Sequence, residues 1–224
     1  MNKAYSTFQE CITGIHQLMR IYDKLYQDYP ILRTDIDDIL RMGLVNTISA
    51  MDRFIHEIVR IGIIEIYQDK RPQTSKWKST RLSYENVIKL INTEKRIDIP
   101  DFDKEIEVIN ILNREFKPIL NTLSFQQPEK IKDALSYIWN NEHKMQTIAG
   151  SMTNLVGDNL NQKQSHLEQK LRLIVHRRNS IVHEADWDPG RDCKQTISIT
   201  EVNDAISFVE DFVSAIYSNV CIIA

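Results

Sequence analysis

The sequence predicts an all-α fold: a multi-helix bundle forming one domain over residues 1–224. Three observations predict it. Apolar residues recur at steps of three and four along nearly the whole chain, the spacing that stripes one face of a helix. Only six glycines and six prolines interrupt the 224 residues. Alternation of the strand kind is confined to residues 196–199, too short to anchor a sheet.

Taken in order, Phe8, Ile12, Ile15, Leu18, Met19, Tyr22 and Leu25 mark a first amphipathic helix. Pro30 breaks the pattern, and Thr34 or Asp35 can cap a second helix that begins near Ile36. Its stripe is Leu40, Leu44, Thr47, Met51, Phe54 and Ile58, with Asn46, Asp52, Arg53, Glu57 and Arg60 on the other faces. A basic loop is expected at residues 68–83. Helices follow at 84–92, 102–123 and 129–147, the last opening after Pro128 with Glu129 in its first turn, where a negative charge suits the helix dipole. Two more run from 160 to about 183 and from 202 to 220, and Ser198-Ile-Thr-Glu201 is a candidate capping box for the final one.

Composition removes several function classes. The six glycines lie far apart, so neither a dinucleotide fingerprint nor a P-loop can be written, and both need closely spaced glycines. With 28 Lys+Arg against 31 Asp+Glu the net charge is −3, which is not that of a general polycation. Cys11, Cys193 and Cys221 form no C-x-x-C pair and no disulfide framework. An odd cysteine count without a secretory signal favours a reducing, cytoplasmic setting, and the most apolar stretch, 54–67, is broken by His56, Glu57, Arg60 and Glu65, so no membrane span is expected. His176 and His183 have no third ligand in step and no H-E-x-x-H occurs, so neither a metal nor any other cofactor is expected.

Two regions carry candidate chemistry. Residues 68–83 hold Lys70, Arg71, Lys76, Trp77, Lys78 and Arg81 against a single acid, Asp69. Basic side chains around an aromatic can grip single-stranded nucleic acid through phosphate contact and stacking, with Lys76 and Lys78 as the candidates. The plainer reading is a solvated connector. The second region is the helix at 160–183. Leu167, Leu171, Ile174 and Ile181 step along one face, and the position filling the gap is Arg178. An arginine on an apolar stripe is costly unless something negative meets it. Lys163, Lys170, Arg172, Arg177 and Arg178 stand against one acid, Glu168, which is how an anion site would look. The alternative is an ion pair inside the bundle, with His183 merely at the surface.

Arg177-Arg-Asn-Ser-Ile-Val-His183-Glu-Ala-Asp resembles the signature of the HEPN superfamily of helical ribonucleases, and its wording is similar to the RiboL-PSP-HEPN branch. The second helix (Leu44-Val-Asn-Thr-Ile-Ser-Ala-Met-Asp-Arg-Phe-Ile-His-Glu-Ile-Val) and the opening of the tail helix (Ile199-Thr-Glu-Val-Asn-Asp-Ala-Ile) resemble that branch too. The likeness covers roughly residues 30–220, and the basic segment 68–83 has no counterpart in it. It implies metal-independent endonucleolytic cleavage of RNA by 2′-OH attack, leaving a 2′,3′-cyclic phosphate and a 5′-OH. Histidine titrates near neutral pH, at about 6.5 unperturbed, and arginine offers a fixed forked charge. His183 is therefore expected as general acid or base and Arg178 as phosphate clamp, with Asn179 orienting phosphate or His183, and Arg177 as a further substrate contact.

On a regular helix Arg178 and His183 point about 140° apart. Either the helix loosens between them or two copies combine their motifs, and the resemblance implies the second: a homodimer, joined through the motif-bearing helices, with a composite site. The resemblance further implies a toxin or effector of antiphage defence or of a toxin–antitoxin system, with an antitoxin or defence partner. Two other readings stand beside it. One is a non-catalytic HEPN module that binds RNA or nucleotide, or a dimerising sensor. The other is a purely structural helical domain.

Overall fold

The computed structural model describes residues 1–32, 36–121, 124–188 and 190–221. Among them the fold is all-α, and the centre is α2 (Asp37–Tyr67), a 31-residue helix with buried residues around most of its circumference. Its stripe Leu40, Leu44, Ile48, Met51, Ile55 and Ile58 is at most 4 % exposed. Helix α1 (Asn2–Asp28) lies along it through Phe8, Ile12, Ile15, Met19 and Tyr22, and the Tyr22 hydroxyl donates to Asp37 Oδ1 at 3.1 Å. Thr34 and Asp35, the expected caps of α2, lie outside the described residues; Asp37 and Asp38 place negative charge in its first turn.

After α2 the chain departs from a plain connector. Residues 68–83 contain a short helix, α3 (Ser75–Ser79), capped by the Thr74 hydroxyl, which accepts from the Trp77 amide at 3.0 Å. The segment is also pinned to the bundle. Arg71 is buried, pairs with Glu65 at 3.0 Å and donates to the carbonyls of Ile138 and Val220. Then α4 (Tyr84–Lys95) and α5 (Asp101–Asn121) pack as a hairpin.

The single helix expected at 129–147 is two. Helix α6 (Pro128–Leu135) ends in a turn, and α7 (Lys144–Ser151) starts afresh. The break is made by Asn141, whose side chain takes the His143 amide at 2.7 Å and donates to Thr147, while Lys144 Nζ reaches the Asn141 carbonyl at 2.5 Å. Local side-chain bonds of this kind compete with continuation of a helix. They are also compatible with a fully apolar stripe, so periodicity misses the break. Gly62 gives the returning turn room. A Cβ there would lie 2.5 Å from Ile138 Cγ2, so α2 and this turn meet at a distance only glycine permits.

Helix α8 (Leu160–Glu184) carries the motif, and α9 (Ile199–Ile216) closes the core with Val202, Ile206, Val209, Phe212 and Val213 before a π-helical turn at Tyr217–Cys221. The capping box that opens α9 is present, with Ser198 and Glu201 bonding reciprocally. Residues 196–199 form no strand. The two-residue strands β1 (Trp187–Asp188) and β2 (Cys193–Lys194) instead pair antiparallel just before them, in the turn linking α8 to α9. No described helix is long and apolar enough to cross a membrane.

Candidate active site: a cleft between α2 and α8

One face of α8 looks into a cleft of about 920 Å³, near the upper end of the usual size for ligand sites. Asn179 sits at the middle of that face. Val175 and His183, four residues to either side, are each about 40° from it on a regular helix. Arg178 lies about 100° away, but its long side chain bends back so that Nη1 donates to Asn179 Oδ1 at 3.1 Å. All four line the cleft. The helix stays regular through both motif residues, ending only at Glu184. Neither loosening nor a second copy is thus needed for Arg178 and His183 to share one cavity.

The arginines differ in a way their adjacency conceals. Arg177 points the other way and is consumed by structure. Its Nη1 lies 2.8 Å from Asp186 Oδ1, and its Nη2 donates to Asp186 Oδ2 and the Thr196 carbonyl, each at 2.9 Å. Asp186 is fully buried and also accepts from Arg41 Nε at 2.7 Å, while Arg41 Nη2 donates to the Gln195 carbonyl at 2.6 Å. One carboxylate therefore ties the turn after α8 to the start of α2. That turn is tight enough to hold Ala185 and Asp186 in the left-handed region, at φ 51° and 60°.

Arg178 has no acidic partner among the described residues: no carboxylate lies within ion-pair distance of it, and its Nε is buried with no hydrogen-bond partner. A buried guanidinium nitrogen without an acceptor is costly. Arg172, by contrast, pairs with Glu129 and Glu168, and Lys170 lies over the Phe208 ring. Of the five basic residues expected to concentrate charge here, Arg172 and Arg177 are paired with acids, and Arg178 is the one that lines the cavity.

The opposite wall comes from α2 and the segment entering α6. Asp52 accepts the Phe125 amide at 2.6 Å and Gln126 Nε2 at 3.5 Å. His56, one turn on, packs against the Phe125 ring at 4.4 Å between centroids, tilted by 42°, and lies 3.7 Å from Asp52. Arg53 and Lys130 add cations to the rim, and Gln127 adds a neutral polar group. With three cations against one carboxylate, the cleft suits a polyanion.

Sequence reasoning reached Arg178, Asn179 and His183 but missed this second wall. The available signal was Asp52-x3-His56, an i, i+4 polar pair beside an otherwise apolar stripe, inside the very segment that resembles the family. Lys76 and Lys78 do not line this cleft. Lys76 pairs with Asp133 at 2.5 Å and lies over the Tyr137 ring, and Lys78 is exposed on α3. Trp77, the aromatic of the basic segment, turns inward to stack on Phe116. Arg177 is likewise turned away from the cavity.

An all-helical bundle whose motif helix presents arginine, asparagine and histidine to a cationic cleft has the build of a HEPN-type nuclease or RNA-binding domain. The RiboL-PSP-HEPN family matches the chain over residues 10–221, and the chain belongs to that family. Neither the curated proteins nor the solved structures contain a match to it.

Proposed function

We propose that the chain is a metal-independent endoribonuclease that works in this cleft, with Arg178 clamping the scissile phosphate and His183 moving a proton. The observation that carries the reading is Arg178 itself: a cation facing a cavity, with a buried unsatisfied nitrogen, on a helix whose neighbouring arginines are paired. A phosphate oxygen in the cleft can accept from this guanidinium, which no carboxylate among the described residues occupies. As the 2′-oxygen attacks, charge grows on the phosphorane oxygens, and a preorganised guanidinium answers it best when water is displaced. Asn179 holds that guanidinium in place, which adds to its expected role of orienting phosphate or His183. His183 stands exposed at the cleft edge, able to exchange protons with solvent.

The reading extends to a toxin or effector function in antiphage defence or a toxin–antitoxin system, for which family membership is the support. A homodimer, and an antitoxin or defence partner, belong to the same proposal. The test is incubation with total RNA in EDTA. The parent protein cleaves, leaving 2′,3′-cyclic phosphate ends, and Arg178→Ala and His183→Ala both abolish cleavage. RNA binding with no cleavage by any of the three identifies a non-catalytic HEPN module instead. Growth arrest on expression, relieved by His183→Ala, tests the toxin role.

A further inference from the structure

We infer that His56 is the general base of this cleft, taking the 2′-hydroxyl proton while His183 gives one to the leaving 5′-oxygen. The inference rests on the ribonuclease reading and adds a catalytic residue from a different helix. Strand cleavage needs two proton transfers, and the motif on α8 offers one histidine. The second histidine lining the cavity is His56, on α2.

His56 is built to accept a proton in one direction. Its Nε2 lies 3.7 Å from Asp52 Oδ1, an ion-pair distance for the imidazolium, and we assign the hydrogen of the neutral ring to Nε2, which leaves Nδ1 as the acceptor. Asp52 cannot swing away, because the Phe125 amide holds the same oxygen at 2.6 Å and Gln126 approaches the other. The imidazole is seated on the Phe125 ring at 4.4 Å, with 21 % of its side chain exposed. A carboxylate behind a histidine orients it and balances the charge that arrives with the proton, the logic of hydrolase triads. His183 has no carboxylate at ion-pair distance among the described residues and is exposed, so it can reload from solvent.

The step balances. The O2′–H bond breaks and its proton goes to His56 Nδ1; the O2′–P bond forms as P–O5′ breaks; the 5′-oxygen takes a proton from the His183 imidazolium. Exchange with water then resets both rings. The charged or titratable groups lining the cavity around His56 are Asp52 and Arg53 on α2, Lys130 on α6, and Arg178 and His183 on α8.

The test compares His56→Gln and His56→Ala with His183→Ala on an oligoribonucleotide and on its counterpart with sulfur at the bridging 5′ position. Sulfur leaves without protonation, so it rescues loss of the general acid and not loss of the base. The expected results are a fall of about 100-fold or more in kcat/KM for both His56 variants and loss of the acidic limb of the pH–rate profile. Sulfur rescues His183→Ala alone, and thermal melts show the His56→Gln protein folded. Parental rates with both pH limbs in His56→Gln, or rescue of a His56 variant by sulfur, overturn the assignment while leaving the ribonuclease reading intact. A parent protein that cleaves neither substrate overturns both.

Discussion

Arg178 shows what side-chain partners decide that residue identity cannot. Arg177 and Arg178 are neighbours of one type, yet one is held by buried Asp186 and the other has no carboxylate beside it among the described residues. Periodicity singled out Arg178, because it interrupts an apolar stripe, and the side chain lines the cavity. It had no means of seeing that Arg177 is spent, since Asp186 is nine residues on and reaches it only through a left-handed turn. Removing a preorganised donor of this kind costs about 10²–10³ in rate, and lysine restores charge without the fork. Single-turnover cleavage by Arg178→Lys is therefore expected to fall at least about 10-fold below the parent, between parent and Arg178→Ala. Cys221 gives a second prediction at this scale. Burial pushes its thiol up to about 12, so at pH 8 it stays protonated and unreactive. A thiol reagent should label exposed Cys193 in the folded protein and reach Cys221 only after urea unfolding, which mass mapping of the labelled peptides checks.

Among the elements, the long amphipathic helices were the most legible, because burial on one face dictates their pattern. The ends were legible where a cap is local, as at Ser198–Glu201. What escaped was set by distant or irregular contacts. The break between α6 and α7 follows from Asn141, and the pinning of residues 68–83 follows from Arg71 reaching carbonyls at 138 and 220. The turn after α8 depends on Asp186 between Arg41 and Arg177. Asp186→Ala leaves two guanidinium groups without their shared carboxylate. Breaking one side of a buried ion pair costs about 3–5 kcal/mol, and urea denaturation should show a loss of that order. Asp186→Asn, which keeps one acceptor oxygen, should lose less.

For the whole molecule, the net charge of −3 says little about the site, because the balance is local: the cleft has Arg53, Lys130 and Arg178 against Asp52. Half of the site was readable from a motif on one helix. The other half lies more than a hundred residues earlier on α2, and no spacing rule joins residues brought together only by tertiary packing. The cavity holds both motif residues within one chain, and this yields a test of composite sites. Mixing Arg178→Ala with His183→Ala should restore no cleavage beyond the sum of the two, as measured on total RNA. Recovery on mixing would mean that copies share their motifs across an interface.

The buried Asp186 link also has a consequence in time. The start of α2 is fastened by Asp186 and by the Gln195 carbonyl, residues made about 150 positions after Arg41. Domains fold as units while a chain is synthesised. A growing chain that has already made α2, and even the arginine and histidine of α8, still lacks the clasp that sets its two walls together. The link between the start of α2 and the turn after α8 is thus completed only once the residues that follow α8 have been made.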